Sequence, residues 1–113
     1  MARTIKWTES ATNDLEKVAE FIARDSRFYA TTVVKKARKA AQSLSVSAER
    51  GRIVPESNTS NIREVFLWKY RLIYKITSHH VFILAFIHGA RDLESLWKRR
   101  GETEGINTES GKG

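Results

Sequence analysis

The sequence predicts an α+β domain in which an N-terminal strand and a helix hairpin pack on a twisted antiparallel sheet, followed by a short C-terminal helix. Three observations carry this. Apolar residues recur at helical spacing through two consecutive stretches between residues 8 and 44. Three later stretches between residues 62 and 88 are dense in branched and aromatic side chains. A chain of 113 residues, 41% hydrophobic and 10% aromatic, is long enough to bury one core and too short for two large modules.

The elements follow in order. Thr4, Ile5, Lys6 and Trp7 alternate polar and apolar, which reads as a short strand running into a helix cap at Thr8. Ala11, Leu15, Val18, Ala19 and Ile22 then fall on one helical face, with Glu9 and Asp14 near the positive end of the dipole. Asp25 and Ser26 interrupt this helix and cap a second one, striped by Ala30, Val33, Val34, Ala37, Ala41 and Leu44 opposite Lys35, Lys36 and Lys39. From residue 45 to 61 the periodicity stops. Gly51, the single proline Pro55, Asn58 and several serines predict a long connecting loop, of the kind that is either functional or disordered.

Residues 62–68, 70–77 and 80–88 predict three strands in an antiparallel meander. Lys69 alone is too short for a hairpin turn, so the strand ends there must shift. Residues 81–87 are apolar on both faces and need cover on both sides. The helix hairpin takes one side, and nothing is assigned to the other. Gly89 ends the strand, and Leu93, Leu96 and Trp97 mark a short helix over residues 91–100, whose basic end suits the dipole. Residues 1–100 are therefore expected to form the domain. Residues 101–113, glycine-rich with Ile106 as their one large apolar side chain, are expected to be a disordered tail.

Composition narrows function. The absence of cysteine removes disulfide scaffolds, thiolate zinc sites and cysteine nucleophiles, and it is compatible with a reducing cytoplasm. Twenty lysines and arginines against 13 acidic residues leave a net charge of +7, which favours an anionic partner (nucleic acid, acidic protein or anionic lipid) unless the surface is simply basic and inert. No apolar run approaches the roughly 18 residues of a membrane span, and the first residues lack the apolar stretch of a signal peptide, so a soluble, cytoplasmic protein is expected. His79 and His80 are strand neighbours facing opposite ways and make poor joint ligands; no metal and no cofactor are expected. Lys35, Lys36, Arg38 and Lys39 read as a solvated helix face, because no aromatics are interleaved with them for base stacking.

The motifs Ile5-Lys6-Trp7-Thr8, Ala11, Asp14-Leu15, Phe21-Ile22-Ala23-Arg24-Asp25-Ser26, Gly51-Arg52-Ile53-Val54-Pro55-Glu56, Ile62-Arg63-Glu64, Tyr70-Arg71-Leu72-Ile73-Tyr74-Lys75-Ile76 and Ile87-His88-Gly89-Ala90-Arg91 stand in this order. Over residues 3–97 the chain thereby resembles the ParE/RelE superfamily of small bacterial toxins from type II toxin-antitoxin modules. The elements around Gly51 and Ile62 are more similar to the ParE-type branch than to the ribosome-dependent nuclease branch. The resemblance implies a toxin neutralised by a cognate antitoxin that wraps it with an extended segment, in a hetero-oligomer. It implies a target that is either DNA gyrase or ribosome-bound mRNA.

RNA cleavage by a 2′-hydroxyl needs a base, an acid and fixed cations around the phosphate. Arg71 and Arg91 match the phosphate-holding arginines of the nuclease branch. The paired lysines of that branch align with Ile62 and Glu64, and its tyrosine aligns with Trp97, whose indole does no acid/base work. His88 is the residue that could restore proton transfer; the alternative is a strand-end histidine bonded to backbone. The resemblance therefore implies first a toxin that inhibits gyrase by binding, and second a metal-free RelE-like mRNA endonuclease using Arg71, Arg91 and His88. A nucleic-acid-binding domain without toxicity is a third reading. Arg50, Arg52, Arg63, Arg71 and Arg91 are the expected target- or anion-binding residues, with Arg71 and Arg91 converging on one cationic hollow. Phe66, Trp68, Phe82 and Trp97 are the expected antitoxin groove on the uncovered sheet face, unless Trp97 folds back to cover it.

Overall fold

A computed structural model of the chain describes residues 2–57 and 59–104, the last four through their backbone. Strand β1 (Thr4–Trp7) leads into helix α1 (Glu9–Ala23), followed by α2 (Arg27–Ser43). The capping chemistry is as the sequence suggests. Thr8 Oγ1 accepts the Ala11 N–H at 3.1 Å, and Ser26 Oγ accepts the Tyr29 N–H at 3.1 Å, each satisfying one of the donors a helix start leaves open. The Thr8 hydroxyl also donates to the Ile83 carbonyl at 2.9 Å, which pins the start of α1 to the sheet.

The loop after α2 is more ordered than its composition implies. It contains a 3-10 turn (Ala48–Arg50) and a two-residue strand, β2 (Arg52–Ile53), which pairs antiparallel with β3 (Ile62–Leu67). Buried Tyr74 organises it: its hydroxyl donates to the Ala48 carbonyl at 2.7 Å and accepts the Gly51 N–H at 3.0 Å. A side chain at Gly51 would collide with that hydroxyl and would stand 2.6 Å from the Glu64 carbonyl oxygen, so only glycine allows the approach.

Strands β3, β4 (Tyr70–Ile76) and β5 (His80–His88) form the expected antiparallel meander. The β3–β4 turn is made by Trp68 and Lys69, with Trp68 leaving the strand at φ 55°, which resolves the missing turn residue. The sheet order is β1-β5-β4-β3-β2, and β1 lies parallel to β5 across a long connection made of the helix hairpin, the loop and β2 to β4. The sheet is thus mixed rather than wholly antiparallel. Between β4 and β5 the register shifts, so that Ile73 faces Ala85 and Tyr74 faces Ile83. Leu84 is left as a bulge residue, and both Leu84 and Ala85 reach the same face of the sheet.

Two cores result. In one, Ala11 and Leu15 of α1 and Val33 and Ala37 of α2 pack with Leu72, Tyr74, Ile83 and Phe86 of the sheet. On the opposite face, Ile62, Ile73, Leu84, Ala85 and Ile87 pack with Val54 of the loop and with Leu93 and Leu96 of α3 (Leu93–Glu104). The face to which the sequence assigns no cover is therefore covered by the chain's own C-terminal helix. That helix runs four residues past the expected domain end; the remainder of the expected tail, 105–113, lies outside the described residues.

Candidate functional site

Strand pairing decides where each candidate points. Arg71 sits opposite Phe66 on β3 and Ile87 on β5, so these three share the face covered by α3. There Arg71 is buried and its guanidinium is occupied. Nε donates to Glu64 Oε1 at 2.6 Å, Nη2 to Glu56 Oε1 at 3.0 Å and Nη1 to Glu56 Oε2 at 3.4 Å. Glu64 is itself fully buried and takes a second cation, Arg52, at 2.5 Å. Burial works against the charge on Arg71, but the two carboxylates outweigh it and its pKa is raised. The hydrogen bond from Arg71 holds the Glu56 carboxyl below the ordinary carboxylate range.

His88 pairs with Tyr70, one residue out of phase with the Arg71–Ile87 pair, and so belongs to the helix-hairpin side of the sheet. Its Nδ1 accepts the Ala90 N–H at 3.1 Å, a strand-end bond to backbone, and its ring meets Tyr70 edge-on with centroids 6.1 Å apart. Arg91 is exposed and lines a groove of about 440 Å³ with Lys17, Phe21, Lys69, Tyr70 and His88. Arg71 and Arg91 therefore do not share a hollow. They address opposite faces of one sheet, because strand alternation separates Arg71 from the groove that receives His88.

The remaining candidate arginines each have a partner within the chain, with Arg50 and Arg52 still exposed. Arg50 donates to Ser43 Oγ at 2.9 Å. Arg63 donates to the carbonyls of Ser60, Glu49 and Gly51, which ties β3 to the loop. Arg52 binds Glu64 and lies over the Phe66 ring, 5.2 Å from its centroid.

The four aromatics expected to form one groove are also divided. Phe82 and Trp97 pack against the core beneath α3, and Trp97 does fold back on the sheet. Phe66 stands exposed at the margin of that face. Trp68 belongs to the other side, in a second groove of about 560 Å³ lined by Phe21, Ile22, Tyr29, Val33, Lys69 and Tyr70. Among the described residues no group of three His, Asp or Glu side chains converges to hold a metal ion.

Three features were not anticipated. One is the carboxylate cage of Arg71, built by acids 15 and 7 residues upstream of it. Another is a clasp at the sheet edge: beyond short β1, the Phe86 N–H donates to Asp14 Oδ2 at 3.0 Å, and Arg100 donates to both Asp14 oxygens and to the Leu84 carbonyl. The third is the exposed aromatic corner of Phe21, Phe28, Tyr29 and Trp68. Phe21 does carry a signal in the sequence, since it lies off the apolar stripe of its helix.

A helix hairpin on one face of a five-stranded mixed sheet and a C-terminal helix on the other define a small α+β protein of the RelE/ParE toxin fold. The family described as ParE toxin of type II toxin-antitoxin system, parDE, matches residues 5–93, and the chain belongs to it. No curated protein matches the chain in sequence. In fold it is similar to the chromosomal ParDE toxin-antitoxin system of P. aeruginosa, at 20% identity and TM-score 0.64 over 77% of this chain and 96% of that one. It is similar to the RelBE2 toxin-antitoxin complex of Mycobacterium tuberculosis, at 24% identity and TM-score 0.54 over 78% and 99% of the two chains. The YoeB dimer of Staphylococcus aureus is a further neighbour, at 16% identity and TM-score 0.54 over 78% and 98%.

Proposed function

We propose that this toxin acts by binding rather than by cleaving RNA, that its target is DNA gyrase in the cytoplasm, and that a cognate antitoxin holds it inactive. The observation that carries the choice is the state of Arg71. A phosphate cannot approach a buried guanidinium whose donors already face two carboxylates without displacing a buried, fully desolvated Glu64, and that displacement is costly. Trp97, packed against the core, carries an indole that supplies no proton either. The antitoxin assignment draws on family membership and on the ParDE and RelBE2 neighbours, which are toxin-antitoxin systems.

A second reading, metal-free and ribosome-dependent mRNA cleavage, has one observation in its favour: His88 and Arg91 line the same groove. Under it, ribosomes programmed with mRNA show cuts that disappear in Arg91→Ala. The test of the first reading begins in bacteria, where induction of the gene arrests growth and coexpression of the neighbouring reading frame relieves the arrest. Purified chain then inhibits supercoiling by gyrase or traps cleaved DNA. Full supercoiling at micromolar chain, together with cut message, replaces the first reading by the second.

A further inference from the structure

The corner where the α1–α2 connection meets the β3–β4 turn carries a cluster of exposed rings. Three large rings stand in one groove and remain exposed: Phe21 at 62%, Tyr29 at 63% and Trp68 at 58%. They come from three separate elements, so no single helix face explains them. Trp68 is also the only described non-glycine residue with positive φ, a conformation that glycine or asparagine would fill with less strain. An exposed tryptophan held at such a position contributes nothing to the core.

Cations lie beside this groove, one over Phe21 and one over the buried ring of Tyr70. The Arg24 guanidinium lies 5.7 Å from the Phe21 centroid, and Lys69 lies 6.0 Å from that of Tyr70. Phe21, Lys69 and Tyr70 line both this groove and the adjoining one, which adds Lys17 and Arg91, so rings and positive charges form one continuous strip. Two acids border it. Asp14 is neutralised by Arg100, which leaves Asp25 as the opposing charge.

We infer that this strip binds single-stranded nucleic acid, with bases stacked on Trp68, Phe21 and Tyr29 and the backbone following Lys17, Arg24, Lys69 and Arg91. Exposed rings beside cations are the arrangement such strands use, because every base offers a π-face and every linkage a negative charge. A duplex hides its bases and gains only the charge term. An acidic protein segment would also gain the charge term, but it would have to bring apolar side chains of its own to cover the rings, whereas every nucleotide carries a base that can stack. Under the gyrase reading the strip is a surface separate from the Arg71 face; under the mRNA reading it includes the groove of His88 and Arg91 and would lead the message to it.

Fluorescence anisotropy of the full chain with labelled dT and U dodecamers tests it, with a duplex of the same length and polyglutamate as comparisons. Both single strands, or one of them, bind at least tenfold more tightly than the duplex and polyglutamate; which one binds identifies DNA or RNA as the source. Trp68→Ala, at an exposed turn and verified by an unchanged melting curve, weakens binding by about fivefold or more. Lys69→Ala lowers the slope of log affinity against log salt by about 0.7. Absence of binding at 100 micromolar chain (about 100, as a weak-binding limit), equal affinity for the duplex, equal affinity for polyglutamate, or a Trp68→Ala variant that binds normally overturns the inference.

Discussion

Arg71 illustrates how a residue that matches a catalytic position in a related branch can hold a fold together. Its guanidinium joins the loop, through Glu56, to β3, through Glu64, and Glu64 in turn anchors Arg52 of β2. Removing one member of a buried ion cluster leaves the others charged and desolvated. Arg71→Ala is expected to cost about 3–5 kcal/mol, read as a lower midpoint in urea unfolding, with Arg71→Ala/Glu64→Gln recovering part of the loss. A midpoint unchanged in the single variant would show Arg71 to be structurally idle. The same cluster makes stability depend on acid. The Glu56 pKa lies below its ordinary 4.5 because the folded chain presents it to Arg71. A depressed folded-state pKa contributes stability that is complete above 4.5 and is lost as pH falls through the lower, folded value. Glu56→Gln should therefore be less stable than the parent at pH 7 and should lose less stability on acidification. Parallel unfolding midpoints across that range would exclude the linkage.

At the scale of elements, the sheet edge is where the fold needs special provision. Strand β1 covers β5 only from His80 to Ile83, and the remaining half of β5 would present an open edge. Asp14 and Arg100 close it from opposite layers, α1 and α3, by taking the Phe86 N–H and the Leu84 carbonyl. Asp14→Ala removes the acceptor and leaves Arg100 without this carboxylate, so hydrogen exchange at the Phe86 amide should accelerate at least tenfold while amides in β4 change little. Uniform acceleration would mean that the clasp acts on global stability instead. The elements themselves were legible because periodicity is local: the stripes of α1 and α2, the caps Thr8 and Ser26, and the doubly apolar β5 can each be read within a few residues. Strand β2 was not legible, since its two residues are specified by Tyr74 and Glu64, which lie more than ten positions away. The candidate site was legible only as residue types. Sequence order placed Arg71 and Arg91 near each other, and the pleat sent them to opposite faces.

The whole molecule has three layers, and only two of them were assigned from sequence. The third is α3, and its weight follows from what it covers. Leu93 and Leu96 close a core of Val54, Ile62, Ile73, Leu84, Ala85 and Ile87, all of which are buried. Truncating each leucine to alanine removes buried methyl groups and leaves a cavity, at about 2–5 kcal/mol per site. Two such losses approach the whole stability of a small domain, about 5–15 kcal/mol, so Leu93→Ala/Leu96→Ala should be largely unfolded or molten at 37 °C (roughly body temperature, near where such domains begin to melt). Trp97→Ala should cost less than the double variant, because Trp97 is half-buried at the margin of that core. A chain ending at Ala90 exposes the entire face. It should bind a hydrophobic dye and self-associate in sedimentation, since a continuous apolar sheet surface is what monomers avoid. If that shortened chain instead stays monomeric and folded, the second core is not needed for stability, and α3 is a detachable arm whose docking leaves the sheet intact.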